Sequence, residues 1–399
     1  MKLLLVHNRY QISGGEDSVF EAERNLLLAA GHHVDEYVRD NSEIAEYNLW
    51  TKTTLGLRTL WAWDSCRELR VLLQRNRPDI VHFHNTFPLV SPAAYYVCHD
   101  AGIPVVQSLH NPRLLCPAAT SCREGRACED CLGRSVPWPG VLHGCYRGSR
   151  IQSGVVATML AVHRSLDTWG KRVDRYIAFT EFYRRKFVAG GLPAEKVVVK
   201  PHFVAPDPGR RVESGQYAVY VGRLAPEKGV RTLLAAWRQC KDVPLRIRGE
   251  GPLLPEVEQF ASKAIARVEV LPRLSSDELI GLVKGARFLV LPSEGHYETF
   301  GLVAVEAFAC GVPVICSRLG ALEEIVEDSR TGLHFTSGDA EDLAEKVGRA
   351  WTHPTEMAEM GQAARREYEA KYTAKANYAM LLGIYEQALA RNSHGNHEN

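Results

Sequence analysis

Short apolar runs alternate with stretches of helical period along almost the whole chain, and the alternation occurs twice. In the first series, residues 2–7 (KLLLVH) read as a buried strand. A loop at Ser13-Gly14-Gly15 follows, then a helix over 19–30 closed by Gly31, then a second strand over 33–38. Further strands are expected at 79–84, 104–110, 175–179 and 197–200, with helices at 48–75 and 151–168. The second series has strands at 217–221, 244–248, 267–271, 288–291 and 313–316. Its helices are expected at 232–239, 277–284, 340–350 and 356–389. Strictly alternating strands and helices fold into parallel sheets covered on both faces. Residues 201–215 (PHFVAPDPGRRVESG) separate the two series and read as a linker. The expected class is α/β, with two doubly wound parallel-sheet domains facing across a cleft. The first covers 1–200, with an irregular insertion at 111–149; the second covers 216–375. Residues 376–399 form a C-terminal helix, returning to the first domain, and a frayed tail. Ligands of such sheets sit beyond the carboxyl ends of the strands, so a cleft between two of them is the expected site.

One stretch of the second series concentrates chemistry. The apolar run 286–293 (ARFLVLPS) precedes a loop that carries Glu298. After Gly301, Leu302, Val305, Glu306 and Ala309 recur at helical spacing until Gly311-Val-Pro313 stops them. Glu306 therefore lies on a helix about two turns beyond Glu298. The amides of Phe300, Gly301 and Leu302 open that helix and suit a phosphate. A glutamate flanked by Leu-Val-Ala-Val and Ala-Phe-Ala faces a core or a cleft, where it needs a partner. The strand 217–221 runs into Gly222-Arg223-Leu-Ala-Pro-Glu-Lys228-Gly229. Two cations five apart beside glycines suit a diphosphate; an ordinary charged loop is the plainer alternative for that segment alone. Arg248-Gly249-Glu-Gly251 is a further glycine turn at a strand end.

With 45% apolar residues a large core is available, and the balance of 48 basic against 47 acidic residues argues against a nucleic-acid binder. The first residues break into His7-Asn-Arg9 too early for a signal peptide, and no run approaches the ~20 apolar residues of a membrane span. A cytoplasmic location is expected, with thiols or a metal site rather than a disulfide framework for the ten cysteines.

Taken together, these pieces resemble the retaining glycosyltransferases of family 4, which have the two-domain, Rossmann-like GT-B fold. The matching pieces are Gly14-Gly15, Leu109-His110-Asn111, the segment 221–229, Gly249-Glu-Gly-Pro252, the E-x7-E signature Glu298 to Glu306, and Gly311-Val-Pro-Val314. The resemblance implies that Arg223 and Lys228 clamp the diphosphate of a sugar nucleotide. It places Gly14, Gly15, Gly222, Gly251 and the amides of Phe300, Gly301 and Leu302 around the donor. Glu298 would bind donor-sugar hydroxyls, Glu306 the ribose, and His110 would lie against the donor sugar. His202 stands where the family has asparagine, and Pro272 where it has glycine, both toward the nucleotide's base. The implied partners are a nucleoside-diphosphate sugar and a glycan or lipid-linked acceptor, in bacterial surface polysaccharide assembly. No cofactor is implied for transfer: the chain has no Asp-x-Asp to hold a metal, and two cations with a helix N-terminus can neutralise a leaving diphosphate. An inverting reaction would need a base, for which His110 is the nominee. A sugar-nucleotide epimerase or hydrolase, or a non-catalytic sugar-nucleotide-binding protein, are the competing readings.

Cys116, Cys122, Cys128, Cys131 and Cys145 lie close together in the insertion. The Cys128-x2-Cys131 pair with Cys116 and Cys145 has the spacing of a structural zinc site; dispersed thiols are the plainer reading. The stretches LLCP, CEDCLG and GCYRGS resemble a bacterial subgroup of the family. Trp50, Trp61 and Trp63 alternate with Lys52, Arg58 and Arg67, and Tyr183-Arg-Arg-Lys-Phe187 forms a second basic-aromatic segment. Both suit peripheral contact with the inner face of a membrane, although core aromatics with solvated arginines are the larger expectation. His82 and His84 end a strand, where structural or substrate roles outweigh a metal.

Overall fold

The computed structural model describes all residues except 12–13, 214, 264–265, 295–297 and 396–399; the side chains of 49–53 and 391–395 are likewise outside it. The chain forms two compact units. One comprises Met1–Ser121, Glu129–Lys200 and Tyr378–Asn399; the other comprises Cys122–Cys128 and Pro201–Asn377. The segment 201–215 belongs with the second unit, where the Arg211 amide donates to the Cys310 carbonyl at 2.8 Å.

In chain order the strands are β1 Lys2–Arg9, β2 His33–Asp40, β3 Ile80–Phe83, β4 Val105–Ser108, the two-residue strands β5 Cys122–Arg123 and β6 Arg126–Ala127, β7 Arg175–Ala178 and β8 Val197–Val199. Six of these build an all-parallel sheet in the order β2-β1-β3-β4-β7-β8. The second unit holds β9 Tyr217–Val221, β10 Leu245–Arg248, β11 Val268–Leu271, β12 Ala286–Leu291, β13 Val314–Ser317 and β14 Gly332–Phe335. These form a parallel sheet in the order β11-β10-β9-β12-β13-β14. The inner strands are buried along their length because helices cover both faces: Leu3, Leu5, Val6, Val81, Val219, Leu289 and Val314 are wholly inaccessible. In each sheet the winding reverses once, at β1/β3 and at β9/β12. Those reversals open the crevices where such sheets bind ligands.

The helices depart from the sequence expectation in several places, and Ala94–Asp100, Glu181–Ala189 and Leu254–Ser262 were not foreseen. The helix expected over 48–75 is two, Leu49–Leu60 and Trp63–Asn76, broken at Trp61 and Ala62, where the Ala62 amide is taken by Ser91 Oγ. The helix expected over 356–389 also divides, into Pro354–Lys371 and Ala374–Gly395. The break at Tyr372 lets Asn377 reach the Pro201 carbonyl. The insertion at 111–149 is more ordered than its composition suggests. It contains the hairpin β5/β6 and the helix Trp138–Leu142, and it buries Leu115 and Cys131.

The last helix returns to the first unit as expected. Its Tyr385 is buried, and the Tyr385 hydroxyl meets His82 Nδ1 at 2.8 Å. Tyr385→Phe removes that partner from a buried imidazole. It should lower stability by about 1–3 kcal/mol, read as a reduced urea midpoint with unchanged slope.

Candidate functional site

In the second unit the crevice at β9/β12 gathers the residues expected to bind a donor. Past the end of β9, the Gly222 amide donates to the Arg248 carbonyl and the Leu224 amide to Glu250, so the loops after β9 and β10 lie backbone against backbone. A Cβ at Gly249 would overlap the Gly222 carbonyl oxygen, and one at Gly251 would stand 2.5 Å from the Leu224 oxygen, so both positions require glycine. Lys228 ends the 3-10 turn Pro226–Lys228, and Gly229 takes the left-handed φ of 65° that starts the next helix. Glu298, beyond β12, pairs with Lys228 and accepts a hydrogen bond from Ser293 Oγ at 3.0 Å. Burial would raise its pKa, but the Lys228 charge and hydrogen bond, with help from Ser293 and Arg223, outweigh that and lower it. Arg223, half exposed, pairs with Glu227. Each expected cation thus stands against a carboxylate.

The helix Leu302–Ala309 starts where expected. Gly301 precedes it with φ 89°, and a Cβ there would stand 2.6 Å from Leu322 Cδ2. The amides of Phe300, Gly301 and Leu302 open the helix, where no turn precedes them to supply acceptors. The Phe300 ring itself is core, packed edge-on against His202 at 4.9 Å and against Tyr372. His202, standing where the family has asparagine, therefore supports the loop that carries those amides. Glu306, on the same helix, is partly buried, and no hydrogen bond to its carboxylate is seen among the described residues. Burial alone pushes its pKa up to about 7. Leu271, Pro272 and Arg273 line a cavity of ≈ 580 Å³ with Arg248, Gly249 and Leu254, at the ends of β10 and β11.

In the first unit, Gly14 and Gly15 precede the helix Gly15–Ala29; their companion Ser13 lies outside the described residues. Both glycines are exposed, and a Cβ on either would meet nothing within 4 Å. Packing does not demand glycine there, whereas close approach of a ligand to the amides would. The Gly14 amide donates to Asp17 at 2.9 Å, and Asp17 also meets His7 Nε2 at 2.8 Å. His110, just past β4, lies against His84, Nε2 to Nδ1, at 3.0 Å. Beside it, Asn111 and Asn85 donate to the two oxygens of Glu16 at 3.3 and 3.1 Å. Burial and the neighbouring Asp17 lift Glu16 to about 8. Glu16, Glu23 and Lys200 were not foreseen. A clue to Glu23 was present: it shares a helical stripe with Val19, Phe20 and Leu27, all buried.

Cys131 is buried, whereas Cys116, Cys128 and Cys145 are partly exposed. Among the described residues, one group of three or more His, Cys, Asp or Glu side chains has its donor atoms within 4.8 Å of one another: Glu23, His82 and His84. None of the four cysteines belongs to that group; within the insertion, the Leu114 carbonyl accepts from Arg164 at 2.7 Å. The segment 183–187 is not a surface patch. Tyr183 and Phe187 are core, Arg184 pairs with Glu181, and Lys186 with Glu129. Trp61 packs against Tyr96 and His163, whereas Trp63 is exposed; the side chains of Trp50 and Lys52 lie outside the described residues. No helix among the described residues is long and apolar enough to cross a membrane.

Comparison with known proteins agrees with this geometry. The family model for glycosyl transferases group 1 matches residues 206–367, and the model for glycosyltransferase family 4 matches residues 12–208. An uncharacterized glycosyltransferase of Methanocaldococcus jannaschii is 33% identical over 172 residues, covering 43% of this chain and 48% of that protein. Glycogen synthase of Mycobacterium tuberculosis is 31% identical over 304 residues, covering 73% of this chain and 64% of the relative. The chain thus spans about half to two thirds of the length of these two relatives. Among solved structures, Anabaena HepE in complex with UDP superposes with TM-score 0.67 at 16% identity, over 97% of this chain and all of the other. Sucrose-phosphate synthase of Thermosynechococcus elongatus gives 0.69 at 18% identity, over 98% of this chain and all of the other. The fold is GT-B, and the chain belongs to the family 4 glycosyltransferases.

The raised pKa of Glu306 has a measurable sign. Below pH ~4.5 the group is protonated folded and unfolded and costs nothing. Between there and about 7 the unfolded chain loses the proton first, so stability falls; above about 7 the penalty is complete. The stability difference between Glu306→Gln and the native chain should therefore grow in favour of the variant over that interval and then level off, measured by urea unfolding at a series of pH values.

Proposed function

We propose that this protein transfers a sugar, with retention of configuration, from a nucleoside-diphosphate sugar to a hydroxyl of a glycan or lipid-linked acceptor. The observation that carries the reading is Glu306: a partly buried carboxylate on the helix that follows the β12 crevice, without a protein hydrogen bond among the described residues. Such a group is costly unless a ligand supplies donors, as the two hydroxyls of a ribose would. Beside it, Arg223 and Lys228 would leave Glu227 and Glu298 to grip an incoming diphosphate. Glu298, released, would accept from sugar hydroxyls. The amides at 300–302 would add a helix N-terminus to the phosphates. The cavity beside Leu271 and Pro272 would receive the base. HepE was solved with UDP, which makes UDP-sugars the first donors to try.

In the proposed step the bond from the anomeric carbon to the diphosphate oxygen breaks while the acceptor oxygen bonds to the same face. The acceptor proton passes to the departing phosphate oxygen. The transition state carries positive charge on the sugar ring and growing negative charge on the leaving group. Arg223 and Lys228 act on the second of these, so they stabilise the transition state more than the bound donor.

A setting in bacterial surface polysaccharide assembly at the inner face of the cytoplasmic membrane fits the exposed Trp138, Leu142 and Ile151 of the first unit, where Arg134 lies over the Trp138 ring and Arg150 donates to the Leu142 carbonyl. Apolar side chains rimmed by arginine suit an anionic lipid surface. A structural zinc at Cys116, Cys128, Cys131 and Cys145 rests on spacing and would need the thiols to close on one another. Elemental analysis of tag-free protein tests it, and zinc-free protein that is folded and active removes it.

A thermal-shift panel of sugar nucleotides should single out a stabilising donor, since a ligand of the folded state raises the midpoint. With that donor, Arg223→Ala and Lys228→Ala should each lower kcat by an amount equivalent to about 2–4 kcal/mol. Normal kcat in both would refute the clamp, and nucleotide release without a glycoside product would point to a hydrolase. Because two cations and a helix N-terminus replace a metal at the diphosphate, transfer should survive chelation by EDTA; strict dependence on added magnesium or manganese would contradict this.

A further inference from the structure

The cavity at the ends of β10 and β11 lies wholly within the second unit, and the side chains that line it differ in what they could hold. Its volume, ≈ 580 Å³, is that of a small-molecule pocket. One wall is the helix Leu254–Ser262. Leu254, Glu258 and Ala261 line the cavity at helical spacing, while Val257 and Phe260 of the same helix are core. Glu258 is thus a carboxylate set between two apolar members of one stripe. A second wall runs from Leu271 into Pro272, which has no N–H to offer a ligand, and on to Arg273. From the end of β10, Arg248 and Glu250 also line the cavity, but they pair with each other at 3.3 Å. Glu258 and Arg273 are exposed, and neither makes a hydrogen bond or ion pair among the described residues. The cavity adjoins the loop that carries Arg223: the Gly222 amide donates to the Arg248 carbonyl at 3.1 Å and the Leu224 amide to the Glu250 carbonyl at 2.8 Å.

A carboxylate has acceptor oxygens only, and it takes two parallel N–H donors side by side. Guanine presents such a pair, N1–H and the N2 amino group. Uracil presents N3–H between two carbonyl oxygens, which a carboxylate repels. Adenine and cytosine place a ring lone pair beside their amino group. On its other edge guanine carries O6 and N7, two acceptors that an arginine grips together. A carboxylate and an arginine on one cavity, not paired with each other, therefore match guanine at both edges and no other common base.

We propose that this cavity selects guanine, so that the donor is a GDP-sugar, with Glu258 accepting from N1 and N2 and Arg273 donating to O6 and N7. The choice of base rests on the sugar-nucleotide reading given above. HepE, solved with UDP, is 16% identical, a likeness that extends to the fold and not to the lining of this cavity.

The test is calorimetric titration of the full chain with GDP, UDP, ADP, CDP and inosine diphosphate. GDP should bind about tenfold or more tighter than UDP, ADP or CDP, the discrimination expected of one good bidentate pair. Inosine diphosphate keeps N1–H, O6 and N7 but lacks the amino group, so it should fall between GDP and UDP. Glu258→Gln should remove most of the preference for GDP over inosine diphosphate. Arg273→Ala should weaken those two ligands alike, and UDP binding should be unchanged in both variants. Exposed positions of this kind tolerate substitution, which an unchanged urea midpoint verifies. UDP bound as tightly as GDP, or tighter, overturns the proposal and leaves a sugar-nucleotide donor standing. A GDP preference that survives both substitutions overturns the assignment to Glu258 and Arg273. If none of the diphosphates binds, the donor reading itself falls, and this inference with it.

Discussion

The arrangement of both units depends on one constraint: the inner strands of a parallel sheet are buried on both faces, so polar chemistry is confined to the strand ends. The strand interiors Leu3–Val6 and Val219 with Tyr220 are closed to water. Polar groups cluster immediately beyond them: His7 and Asn8 at the end of β1, His84 and Asn85 after β3, Arg223 after β9, Ser293 after β12. Where the winding reverses, neighbouring strand ends diverge and leave a crevice. Each unit uses its reversal to assemble side chains that are far apart in sequence, such as Glu16 with Asn85 and Asn111, or Lys228 with Glu298.

The two crevices are prepared in different ways. In the second unit each of the two cations is matched by a carboxylate, Lys228 by Glu298 and Arg223 by Glu227, while Glu306 is held partly buried and lifted in pKa by burial alone. In the first unit buried polar groups pack against one another, with Glu23 Oε2 and His84 Nε2 left without a hydrogen-bond partner among the described residues. His82, His84, Glu23 and Lys200 are buried together, and burial keeps His82 down near 4.

Glycine carries out two separate tasks here. At Gly249, Gly251 and Gly301 it is required by the protein's own backbone or packing, since a Cβ would strike a carbonyl oxygen or Leu322. At Gly14 and Gly15 the space around a Cβ is empty. The motif looks alike in sequence at the two kinds of position, and only coordinates separate conformational need from room left for a ligand.

The sequence by itself determined the class of fold and most of the second unit's site. Strand runs, helical period and stop signals are local properties, and the loop after β9 and the E-x7-E stretch keep their chemistry within a few residues of a strand end. Breaks at Trp61 and Tyr372 were not legible, because tertiary partners, Ser91 for the Ala62 amide and Pro201 for Asn377, decide them. The same holds for the aromatic segment 183–187, whose spacing fitted a surface while packing made Tyr183 and Phe187 core. Above all, the buried line from Lys200 through Glu23 and His84 to His110 joins residues up to 177 positions apart. No periodicity encodes such a line. It exists because the sheet lays β1, β3, β4 and β8 in one layer and the first helix turns Glu23 onto it, and contacts of that range are decided only by the tertiary structure.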